Sequence, residues 1–149
     1  CYWVYADRVH PECVDEPAHG PDVVEDGKWM LFYPKAEMDA RWLEACEHMQ
    51  AGRFGIVNSM KASTFKENPR SSDHSKGVII IYTPKIHKDV LMETGRLIMK
   101  AMQYDVTMFF KTNEQTLVGT RATGVQKNYT FYLRPRVEYK DMFADFEGW

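Results

Sequence analysis

Two hydrophobic periods share the middle of the chain. In GKWMLFYP, Trp29, Leu31 and Tyr33 alternate with Lys28, Met30 and Phe32. That two-residue period predicts a strand with apolar contacts on both faces, and Pro34 ends it. The period then lengthens. Met38, Trp42, Ala45, Cys46 and Met49 recur at helical spacing, with Leu43 alongside. Glu37 and Arg41 form a favourable i,i+4 pair, and Gly52 suits the position just past a helix end. RFGIVNSMKA predicts a second strand, FKENPRSSDHSKG a polar loop, and GVIIIY a third strand, central because every position is apolar or small. HKDVLMETGRLIMKAM predicts a second helix. Val90, Leu91, Thr94, Leu97, Ile98, Ala101 and Met102 share one face, while Lys88, Glu93, Arg96 and Lys100 point away. VTMFFK, a short segment around Leu117–Arg121 and YTFYL complete the strands.

Strand–helix–strand passages on one stretch of chain predict an α+β layer, with helices on one face of a sheet and the other face open to a ligand. The expected division is an irregular N-terminal arm at 1–27, an α+β domain at 28–136 and an acidic-aromatic tail at 137–149. Trp42 shares a stripe with Met38, Cys46 and Met49, so it is expected in the core. Alternation alone lets Trp29 point to either side of its strand.

Charge sharpens this picture. The net charge is −2, but it is unevenly distributed. Residues 1–60 carry 5 Lys and Arg against 11 Asp and Glu, and residues 61–136 carry 13 against 6. A local basic surface attracts polyanions whatever the overall charge, although opposite charges that meet in the fold cancel. Three cysteines, Cys1, Cys13 and Cys46, are too few for a disulfide framework and fit a reducing compartment. No apolar run approaches the ~20 residues of a membrane helix, and no secretory signal is read. A cytoplasmic or nuclear location without membrane partners is expected.

Catalytic signatures are weak. SSDHS at 71–75 holds the residue types of a hydrolase triad, but those groups must converge from separate segments. Cys1, His10, Cys13 and His19 do not have the spacing of a standard zinc module. Glu138-Tyr139-Lys140 lacks the Pro-Asp that precedes a nuclease Glu-x-Lys. No phosphate-gripping Gly-rich loop, paired zinc histidines or nucleophile elbow is present. Neither a catalytic residue, a metal site nor a cofactor is assigned.

The order of GKWMLFYP, the Trp42 helix, GVIIIYTP, a second helix and FFKTNEQTLVG resembles the basophilic-leukaemia-expressed protein family, also called uncharacterised protein family 0696. The resemblance spans residues 27–133. It implies a fold similar to translation initiation factor 4E: a curved, mainly antiparallel sheet backed by helices. In that factor two loop tryptophans sandwich a methylated guanine beside a Glu. This sequence contains no Trp-Glu pair.

An RNA- or nucleotide-binding module on the concave sheet face is therefore the leading expectation. Lys61, Lys111, Arg121, Lys127 and Arg134 are expected to neutralise phosphates, and Trp29 and Tyr132 to stack bases. The alternatives are a protein-interaction domain that docks a partner peptide on its helical face, near Arg96 and Lys100, and a nucleotide phosphodiesterase or other hydrolase.

Overall fold

The computed structural model describes residues 3–7, 20–57, 59–63, 75–114 and 131–135. Six strands form one open sheet: β1 (Trp3–Asp7), β3 (Gly27–Pro34), β4 (Ser59–Ser63), β5 (Lys76–Thr83), β7 (Met108–Thr112) and β8 (Phe131–Leu133). Their spatial order is β1-β4-β5-β3-β7-β8, and every pairing is antiparallel. A two-stranded ribbon joins β2 (Val23–Val24) to β6 (Ile86–His87). A 3-10 turn (Lys35–Glu37) and two helices, α1 (Met38–Gln50) and α2 (Lys88–Ala101), complete the described elements. The fold class is α+β with a mainly antiparallel sheet, as expected.

The strand alternation sorts residues between two faces. Trp29, Leu31 and Tyr33 on β3 align with Ile81, Ile79 and Gly77 on β5, and Trp29 aligns with Phe110 on β7. Trp29, Leu31, Ile79, Ile81 and Phe110 are fully buried. The helices lie against this face. A Cβ added to Gly77 would meet Met38 of α1, and one added to Gly95 of α2 would lie 2.6 Å from the Trp29 ring and 2.7 Å from Leu133. Glycine is needed at 95 because α2 sits almost directly on the indole.

The helix faces follow the apolar pattern with adjustments. In α1, Met38, Ala45 and Met49 are buried, while Trp42 and Cys46 pack partly buried against the core. In α2 the buried set is Leu91, Met92, Thr94, Gly95, Ile98 and Met99. The stripe therefore includes Met92 and Gly95, and Val90 remains 40% exposed. Burial of Met92 and Gly95 reflects packing against the sheet, which a list of apolar positions does not specify.

Both helices end in the same backbone lock. After α1, Arg53 N–H donates to His48 O and Gly52 N–H to Met49 O, with Gly52 at φ +78°. After α2, Tyr104 N–H donates to Met99 O and Gln103 N–H to Lys100 O, with Gln103 at φ +50°. These crossed bonds satisfy terminal carbonyls in a Schellman arrangement. The second lock also aims Tyr104 at β3. Of β3, Gly27–Met30 pair with β7, so Phe32 lies beyond that ladder; the Tyr104 hydroxyl accepts a hydrogen bond from Phe32 N–H at 2.9 Å. The tyrosine thus occupies a place where a partner strand would otherwise pair.

Several expected elements differ in extent. The strand expected from Arg53 is confined to Ser59–Ser63, because residues 51–56 form turns that bury Phe54. The CYWVYA segment supplies edge strand β1. The strand expected around Leu117–Arg121, the first two residues of YTFYL, most of FKENPRSSDHSKG and the tail at 137–149 lie outside the described residues.

Candidate functional site

No described helix covers the second face of the sheet. One row of that face crosses all six strands through Tyr5, Lys61, Ile80, Met30, Phe109 and Tyr132. The next row places Tyr82, Lys28 and Lys111 side by side on β5, β3 and β7. Side chains directly opposite on antiparallel strands have Cβ atoms about 5 Å apart. Lys28 and Lys111 are therefore immediate neighbours, with Lys61 two strands away in the adjoining row.

The electrostatics of this patch centre on Lys28. It is buried, with 8% exposure, although it belongs to the face opposite the two described helices. Burial first, and the positive charges of Lys61 and Lys111 second, lower its pKa from 10.5 to about 8. Desolvation disfavours an ammonium, and like charges nearby do so further. Among the described residues, no carboxylate lies within ion-pair distance of Lys28 or Lys111.

Aromatic rings flank the lysines. Lys61 Nζ lies 5.9 Å from the Tyr82 ring centroid. Phe109 and Tyr132 have ring centroids 6.5 Å apart, and the Arg134 guanidinium is 5.5 Å from the Tyr132 ring. Lys61, Tyr82, Phe109, Lys111 and Tyr132 are all half-buried, while Arg134 is exposed. A cationic group over an aromatic face is attracted by the ring quadrupole. The same combination of cations and π-faces can hold phosphates and stack bases.

Four of the seven residues expected from sequence, Lys61, Lys111, Tyr132 and Arg134, belong to or adjoin this face. Trp29 does not. Its ring is fully buried beneath Gly95 and makes an edge contact with Phe110 at 5.3 Å. Trp29 is therefore a core residue and cannot stack a base in this fold; odd-numbered positions of β3 face the helices. Arg121 and Lys127 lie outside the described residues, as do Cys1, His10, Cys13, His19, Glu138 and Lys140. Of SSDHS, only Ser75 is described, at an exposed turn.

Lys28, Tyr82 and Phe109 are the residues that sequence reasoning missed. The signal was available in β3. Once Trp29 is assigned to the helix side, alternation sends Lys28 to the other side. Among the described residues no group of three or more His, Cys, Asp or Glu is placed to hold a metal, and no helix is long and apolar enough to cross a membrane.

The helical side offers a different surface. Arg96 is ion-paired with Glu93, and Lys100 is exposed. Both line a shallow cleft of about 300 Å³ with Met99 and Tyr104.

The sequence profile of the family described as basophilic leukemia-expressed protein Bles03 matches residues 14–91, just over half of the chain. The chain belongs to the Bles03 family. The matched span contains Lys28, Lys61 and Tyr82 and ends before β7. Comparison of the sequence with curated proteins finds no match.

Similar solved structures include Ascaris suum eIF4E-3 in complex with an m2,2,7G cap, at 12% identity and a TM-score of 0.48. The same protein with an m7G cap gives 15% identity and a TM-score of 0.47. Each match covers 60% of the Bles03-family chain and 51% of the solved one, so this chain corresponds to about half the length of those structures. The caps are ligands of the Ascaris protein.

Proposed function

We propose that the sheet face opposite the two described helices binds RNA or a nucleotide. In this reading Lys28, Lys61 and Lys111 meet phosphate oxygens, Tyr82, Phe109 and Tyr132 provide stacking surfaces, and Arg134 adds charge at the β8 edge. Arg121 and Lys127 are assigned further phosphate contacts on sequence grounds alone. The observation that carries the proposal is the placement of Lys28 between Tyr82 and Lys111, buried and with Lys61 close enough to oppose its charge. Such an arrangement costs stability. A lysine kept out of water beside two others gains nothing from the fold, whereas an anion placed among them offsets the repulsion.

Specificity is not implied by these groups. Lysines meet phosphates without reading sequence, and rings stack any base. Filter binding with a labelled RNA pool tests the proposal. Retention at low salt that falls as salt rises is expected, because phosphate contacts release counterions. No retained RNA at low salt would remove the proposal. Docking of a peptide on the helical side has less support, since singly exposed apolar residues such as Leu43, at 69% exposure, are ordinary on protein surfaces.

A further inference from the structure

The same face also brings together the elements of a reactive amine. Lys28 stands in register between Tyr82 and Lys111, with Lys61 in the adjoining row, and it retains 8% exposure. The small exposure that remains is the route by which a small molecule must reach the side chain. No described carboxylate is placed to hold Lys28 as an ion pair. A lysine made less basic by desolvation and by another cation is a nucleophile near neutral pH.

We propose that Lys28 is a covalent attachment site for a small anionic aldehyde, with Lys61 and Lys111 supplying the positive field that draws the anion in. The neutral amine attacks the carbonyl carbon and a C–N bond forms. The carbonyl oxygen leaves as water, taking both amine protons, and an imine remains. No electrons are transferred. The charges facing Lys28 are those of Lys111 on the adjacent β7 and of Lys61 on β4, two strands away, and Tyr82 on the adjacent β5 is the neighbouring titratable phenol. A pKa of about 8 leaves part of the Lys28 population neutral near pH 7, while a lysine at 10.5 is almost wholly protonated there. The proposal shares residues with the RNA-binding reading but does not depend on it, because amine labelling and RNA retention are separate readouts.

Pyridoxal 5′-phosphate is a suitable probe, followed by borohydride reduction and mass mapping of the eleven lysines. Lys28 is expected to be labelled before the others, with a rate that rises through a midpoint near pH 8. The phosphorylated probe should react about ten-fold faster than pyridoxal, since a positive patch concentrates anions. Lys61→Met and Lys111→Met each remove a like charge, so each should move the midpoint upward and slow labelling near pH 7. Both positions are half-buried and neither is the reacting residue, so the two variants read the field with the Lys28 amine intact. Labelling spread over the exposed lysines, equal rates for the two probes, or a midpoint unmoved in both variants would overturn the proposal.

Discussion

Trp29 and Lys28 are adjacent in β3, yet they belong to surfaces with opposite requirements. On the helix side, tight packing governs each position: the indole lies under Gly95 with Phe110 at its edge, and no ligand can reach it. On the other side, lysines and rings gather in adjoining rows where no described helix lies. The first face contributes stability. The second accepts a cost in stability at Lys28, which is a reason to look there for function.

The largest expected effect lies on the packed face. Trp29→Ala removes a fully buried ring and should destabilise the fold by about 4 kcal/mol, read by urea denaturation. A loss below about 1 kcal/mol would mean that the ring does not organise the core. Gly95→Ala tests the same contact from the helix side. Alanine is the better helix former by about 1 kcal/mol. Its Cβ would nevertheless lie 2.6 Å from Trp29, so a net loss of about 2 kcal/mol is expected. A gain in melting temperature would contradict the close approach.

Lys28→Met should act in the opposite direction. The folded pKa of about 8 lies below the unfolded value of 10.5, so the unfolded chain binds more protons between those values. The cost of Lys28 is full below pH 8 and fades as pH rises toward 10.5. The variant should therefore be more stable than the parent near pH 7, by about 2 kcal/mol, and the gain should shrink at high pH. A loss of stability at pH 7 would show that the ammonium is well accommodated.

Tyr104→Phe is the smallest change. It removes the hydroxyl that accepts from Phe32 N–H. About 1 kcal/mol should be lost, with faster amide exchange at Phe32 as the local readout.

Much of the fold was legible from periodicity. The β3 and β5 strings and both helices stand where their apolar spacing predicts them. The strand near residue 53 was too long because Phe54 looks strand-like but is buried from a run of turns at 51–56, and Val57 is buried just after it. The site was legible only in part. Lys61, Lys111 and Tyr132 could be placed by their strand positions, but Trp29 was assigned to the open face when the helices required it. Alternation says that Lys28 and Trp29 face opposite ways without saying which way each faces. That choice is made by α2, through a glycine that allows the indole to sit beneath it.

The central claim is that Lys28, Lys61 and Lys111 act together as a phosphate-binding cluster. The most direct test is the salt dependence of single-stranded RNA binding, compared between the parent chain and the Lys28→Met, Lys61→Met, Lys111→Met triple variant after circular dichroism shows both folded. Three phosphate contacts on a single strand contribute about 2 to the slope of log affinity against log salt. The parent should bind with that contribution and the triple variant should lose it, together with most low-salt retention. Equal affinity and equal slope in the two proteins would contradict the claim.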